Sequence, residues 1–198
     1  MTKNASVGAM PQNPPMQENV NENQDANLQN EKFKKKTTII AGDSIVKNIQ
    51  GWRLSDSNNH VVVKSFSGST ISDMEDYLKP IIRREPSKII LHVGTNDINH
   101  LTAQQIAKGV ANLGTQISQD SPRTKVALSG ILPRTDKPGL SSKIKATNNM
   151  IKSFCQHNKW DFLDHKSIDP SCLNARGLHL NRKGTTVVAK NITDYISN

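Results

Sequence analysis

The apolar run IIA at 39–41 leads into Gly42-Asp43-Ser44, and three later segments offer equally small or polar residues. These are Ser67-Gly68-Ser69-Thr70, Gly94-Thr95-Asn96-Asp97, and His179 within ARGLHLNRKG. Acyl transfer needs a hydroxyl nucleophile, a base within hydrogen-bond reach, and two or three donors aimed where the tetrahedral oxyanion develops. Ser44 offers the hydroxyl and a backbone N–H, Gly68 a backbone that a substrate can approach closely, Asn96 a side-chain amide, and His179 the base. Each residue alone has an ordinary explanation. A serine after a strand is more often a helix cap, a glycine supplies a left-handed turn, Asn96 and Asp97 suit a turn, and a lone histidine is commonly a surface or packed side chain. Only the four together make a chemistry.

Joining four such segments requires a fold that delivers loop residues to one edge. The runs TTIIAG, HVVVKSF, KIILHVG, KVALSGIL and WDFLD are short, mostly β-branched or aliphatic, and bounded by Gly, Asp, Asn or Ser, as buried strands are. Helical periods lie between them. Ile71, Met74, Leu78, Ile81 and Ile82 form one, which Pro80 should kink or shorten. Ala103, Ile106, Val110, Leu113 and Ile117 form another, opened by Thr102 with Gln105 three residues on, as in a capping box. Ile144, Ile151, Phe154 and Cys155 mark a third, and Val187, Val188, Ile192 and Ile196 a fourth, capped by Asn181. This alternation predicts right-handed crossovers and a parallel sheet covered on both faces, a three-layer α/β/α domain. Ligands of such sheets bind beyond the carboxyl ends of the strands, where Ser44, Gly68 and Asn96 fall.

In this order, AGDSIV, SFSGSTISDM, LHVGTNDI and GLHLNRKG resemble the four signature blocks of the SGNH hydrolases, the GDSL-type esterases and lipases; the likeness runs from Thr37 to the end of the chain. The resemblance implies a flavodoxin-like, five-stranded parallel sheet, Ser44 as nucleophile and His179 as base. It also implies an oxyanion hole from the N–H groups of Ser44 and Gly68 and the Asn96 side chain, with no metal or organic cofactor. The Gly-x-Ser-x-Gly elbow of the α/β-hydrolases is absent around Ser44. A narrower likeness is to the esterase domains found in the first open reading frame of some LINE-type retrotransposons. One position breaks the family pattern. Three residues before the histidine the family carries an aspartate that orients the imidazole, and here stands Arg176, a cation that opposes protonation of His179. Three outcomes stay open: a backbone carbonyl orients His179 in a Ser–His dyad, Asp164 or Asp169 serves as the third member, or catalysis has been lost.

The 198 residues carry 26 Lys and Arg against 17 Asp and Glu, a formal charge of +9. The first thirty are dominated by Asn, Gln and Pro and offer little to bury, so residues 1–35 read as a disordered tail and 36–198 as the esterase domain. The primary partner expected is a small-molecule or lipid ester. A basic domain also admits a second reading, a catalytically weak or inactive module that holds nucleic acid or an anionic membrane. Lys79, Arg83, Arg84 and Lys88, or Arg182, Lys183 and Lys190, would then supply the contacts. No apolar run reaches the roughly 18 residues of a membrane span. Cys155 and Cys172 read as free thiols of a reducing compartment, so the expected location is intracellular and cytoplasmic.

Overall fold

The computed structural model describes Met1 and residues 35–197; apart from Met1 and Lys35, the tail expected at 1–35 lies outside the described residues. Five strands, β1 (Lys36–Gly42), β2 (Asn59–Ser65), β3 (Lys88–His92), β4 (Lys125–Ser129) and β5 (Asp161–Leu163), form one sheet. Their order is β2-β1-β3-β4-β5 and every pairing is parallel. The chain leaves β1 towards one edge and returns past it to β3, so the topological switch point lies between β1 and β3. The Ser44 and Asn96 segments come directly after those two strands.

Neighbouring residues along each strand go to opposite faces, and both faces are apolar. Ile39, Ile89 and Val126 pack under helices α2 (Ile71–Tyr77), α4 (Ala103–Asp120) and α5 (Leu140–Asn158), while Ile40, Ile90 and Ala127 pack under α6 (Arg182–Ser197) and the turn after β1. Two short helices complete the layers, α1 (Gly51–Leu54) and α3 (Lys79–Ile82). The expected capping box opens α4, with Thr102 accepting from the Gln105 N–H and Gln105 reaching back. Pro80 splits its helix rather than bending it. α2 ends at Tyr77, and Pro80 sits in the first turn of α3, where its missing N–H costs nothing.

The stripe on α5 differs from expectation at one position. Ile144, Thr147, Ile151 and Cys155 face the core, whereas Phe154 is exposed, because a residue one step before Cys155 is rotated by about 100° from it. Both cysteines are buried and unpaired, and burial pushes the Cys155 thiol up to about 11. Among the described residues no helix is long and apolar enough to cross a membrane.

Candidate active site

The end of β1 is fixed before any catalytic group appears. A Cβ on Gly42 would lie 2.3 Å from the carbonyl oxygen of His92 on β3, so only glycine fits there. The same carbonyl accepts from the Asp43 N–H at 3.1 Å, the Gly42 carbonyl accepts from Phe66 N–H at 2.8 Å, and the Ser65 hydroxyl donates to the Asp43 carbonyl at 3.0 Å. The turn is therefore pinned from β2 and from β3. The next element is a single 3-10 turn, Ser44–Val46, rather than a full helix, and its cap is Asp43, whose Oδ1 accepts from the Ile45 N–H at 2.9 Å. Capping by Asp43 leaves Ser44 uncommitted. Neither its hydroxyl nor its N–H makes a hydrogen bond among the described residues.

Asn96 and Asp97 hold the residues that follow Gly68. The Asn96 amide donates to the Ser69 carbonyl at 2.8 Å, and the Asp97 carboxylate accepts from the Ile71 N–H, with Oδ2 at 3.2 Å. Asn96 spends one of its two amide protons in this way and keeps the other. Just before those anchors Gly68 turns through φ +84°, and its N–H has no acceptor among the described residues. Burial pushes the carboxyls of Asp43 and Asp97 up. At Asp43 this is opposed by the hydrogen bond from the Ile45 N–H. Asp43 Oδ2, Ser69 Oγ and Thr95 Oγ1, one from each of these loops, are buried without partners.

His179 lies on a loop closed on itself. Asn174 N–H donates to the His179 carbonyl at 2.7 Å, and Leu173 bridges Leu180. Asn181 caps α6 as expected, accepting from Gly184 N–H at 3.0 Å, and its amide reaches back to the carbonyls of Ser171 and Leu173. Arg176 and His179 are both exposed. Asp164 pairs with Lys166 at 3.1 Å, and Asp169 caps the turn Pro170–Cys172, where the hydroxyl and N–H of Ser171 hold its carboxyl below the usual range. Among the described residues neither carboxylate bonds the ring of His179.

Two features had no sequence signal. Arg134, buried just past β4, forks onto Asp136 at 2.9 and 2.6 Å and donates to the Thr95 carbonyl at 2.7 Å; Thr135 N–H donates to the Gly177 carbonyl at 2.9 Å. Residues 134–136 thus brace the Asn96 loop against the His179 loop. Arg134→Ala removes a buried guanidinium that holds the Thr95 carbonyl, so it should destabilise the protein by about 2 kcal/mol in urea unfolding. A loss below about 1 kcal/mol would show that this brace is slack.

The second feature is a buried polar chain beneath the site. The Asn191 amide donates to His165 Nδ1 at 3.1 Å, so the His165 proton sits on Nε2 and points at Ser129 Oγ at 2.8 Å. Ser129 in turn donates to His92 Nδ1 at 2.9 Å, which leaves the His92 Nε2 proton without a partner. Burial depresses both histidines to about 4. Their folded pKa values lie below the ordinary 6.5, so the unfolded chain binds more protons between pH 6.5 and 4. The stability they contribute is complete above pH 6.5 and is lost as pH falls towards 4, by a few kcal/mol for the pair. Urea midpoints at pH 7 and pH 4.5 should show this loss. It should shrink when both histidines become glutamine, and an unchanged loss would refute the assignment.

Among the described residues no group of three His, Cys, Asp or Glu side chains could hold a metal ion. Residues 40–187 match the family model described as the GDSL-like Lipase/Acylhydrolase family. The chain is 26% identical over 176 residues to platelet-activating factor acetylhydrolase IB subunit alpha1 of Bos taurus, covering 80% of this chain and 74% of that one. A GDSL-like lipase from Bacteroides thetaiotaomicron superposes with a TM-score of 0.71 at 16% identity, over 88% of this chain and 96% of that one. A catalytic mutant of an acetylxylan esterase from Geobacillus stearothermophilus does so with a TM-score of 0.67 at 14% identity, over 83% and 96%.

Proposed function

Because the chain belongs to the GDSL-like lipase/acylhydrolase family, we propose that it hydrolyses carboxylic esters with Ser44 as nucleophile and His179 as base. Ser44 Oγ attacks the ester carbonyl while His179 takes its proton; the oxyanion gathers the N–H groups of Ser44 and Gly68 and the free amide proton of Asn96. His179 then protonates the leaving alcohol, and a water activated by His179 releases the acyl group. One observation carries this assignment. The three donors are uncommitted, yet the loops that bear them are bonded to each other through Phe66–Gly42, Ser65–Asp43 and Asn96–Ser69. Such donors are pre-oriented and need no reorganisation as charge develops.

Without an aspartate at 176, His179 works in a dyad. Its backbone is set by Asn174, whose N–H donates to the His179 carbonyl. The relatives named above include an acetylhydrolase subunit and an acetylxylan esterase, so acetyl esters are the first substrates to try. A fluorophosphonate probe tests nucleophile activation without the natural substrate. Wild type should label, Ser44→Ala should not, and His179→Ala should label far more slowly; equal labelling of all three removes the proposal.

A second reading, binding of nucleic acid through the basic surface, draws on a separate place. Lys36, Lys88 and Lys125 begin three adjacent strands around an open cleft of about 690 Å³, with Lys88 and Lys125 directly opposed across β3 and β4. Like charges so paired repel, and a polyanion would relieve them. Phosphate-driven binding should fall by orders of magnitude between about 50 and 200 mM salt. Retention that ignores salt would count against it.

A further inference from the structure

An open groove of about 580 Å³ lies between the chain that leaves Ser44 and the start of α6. It begins at Asn48, four residues past Ser44, and at Leu180, the residue after His179. Ile49, Leu54, Leu180 and Ala189 give it an apolar floor, and Arg53 and Arg182 stand on its wall. Among the described residues neither guanidinium has a carboxylate partner, so both charges are available to a ligand. Arg53 is instead held over the ring of Trp52, 4.8 Å from its centroid, and Trp52 is 70% exposed.

We propose that this groove takes an anionic group on the alcohol side of the ester, so that the substrate class is an ester with an apolar body ending in a carboxylate, sulfate or phosphate. The inference rests on the esterase reading above. Apolar contact with the floor holds the body, and the two guanidiniums take the anion by charge-assisted hydrogen bonds. The alcohol side is set by chain order. His179 must protonate the leaving alcohol, and the groove opens at the very next residue, Leu180.

The test compares 4-acetoxybenzoate, its neutral methyl ester, and the mono-4-nitrophenyl ester of succinate, which carries its anion on the acyl side. Wild type should prefer 4-acetoxybenzoate over the methyl ester by about tenfold in kcat/KM, mostly through KM, with no such preference for the succinate. 4-Acetoxyphenyl phosphate in place of the benzoate separates a phosphate from a carboxylate as the favoured anion. In Arg53→Gln and in Arg182→Gln the ratio of anionic to neutral kcat/KM should fall several-fold, and raised salt should do the same in wild type. A ratio that does not move in either variant overturns the inference while leaving ester hydrolysis standing.

A binding measurement separates the two claims further. In Ser44→Ala protein labelled with nitrogen-15, the indole signal of Trp52 should shift with 4-acetoxybenzoate at lower concentration than with the methyl ester, while that of half-buried Trp160, whose indole N–H donates to Ser118 at 2.9 Å, stays put. Such a shift without turnover in wild type would keep the groove and sink the esterase. A Trp52 signal indifferent to either compound overturns the groove.

Discussion

Ser44→Ala protein should lose turnover of 4-nitrophenyl acetate by a factor on the order of 10⁴ to 10⁶, with kcat carrying the loss. Without the hydroxyl no acyl-enzyme forms, and only water attack within the oxyanion hole remains. The same substitution should leave the unfolding midpoint nearly where it was. The Ser44 hydroxyl donates to no protein atom among the described residues, the turn is capped by Asp43, the Asp43 carbonyl accepts from Ser65 of β2, and the Asp43 N–H donates to the His92 carbonyl of β3. A change in stability within about 0.5 kcal/mol is therefore expected. Together the two measurements separate a nucleophile from a cap: a structural serine would cost stability and spare rate. Residual turnover within tenfold of wild type would mean that another residue attacks.

Asn96→Ala should lower kcat by 10² to 10³, the usual cost of one oxyanion donor, about 3–4 kcal/mol of transition-state stabilisation. KM should change little, because the free amide proton meets charge only as it develops on the carbonyl oxygen. Asn96 also anchors the Ser69 carbonyl, so some stability goes with it, about 1 kcal/mol for a neutral hydrogen bond. Asn96→Asp removes both roles at neutral pH, because a carboxylate opposes an oxyanion and cannot donate to Ser69 unless protonated. It should be at least as slow as the alanine variant at neutral pH and recover partly in acid. A kcat within threefold of wild type in both variants would remove Asn96 from the oxyanion hole.

The parallel sheet was readable because its strands are buried on both faces and so write themselves as short apolar runs between helical periods. Pro80 and the Thr102–Gln105 box acted as local physics says they must. Phe154 was misplaced because a stripe of partly polar residues, Thr147 among them, leaves the buried face to be settled by packing. The capping role passed from Ser44 to Asp43 because a 3-10 turn of three residues shifts the cap by one position, which no periodicity records. Arg134 and the His92–Ser129–His165 chain were invisible for a different reason. The Arg134–Thr95, His165–Ser129 and Ser129–His92 bonds span 36 to 39 residues, and nothing local marks an arginine or a serine as buried. The groove beside His179 likewise joins segments more than a hundred residues apart. The family likeness carries over to the relatives named above, and the finer one to retrotransposon-associated domains has no counterpart among them.

The loops bearing Ser44, Gly68, Asn96 and His179 are cross-braced by main-chain bonds and by Arg134, Asp97 and Asn181, none of which is proposed to touch substrate. A frame whose integrity is independent of its working parts can drift at those parts without collapsing. Arg176, exposed and free of ion pairs among the described residues, marks a position at which such drift has no folding penalty. An Arg176→Asp variant should therefore keep the fold of the wild type, so any change it makes in rate reads what an orienting carboxylate adds to His179.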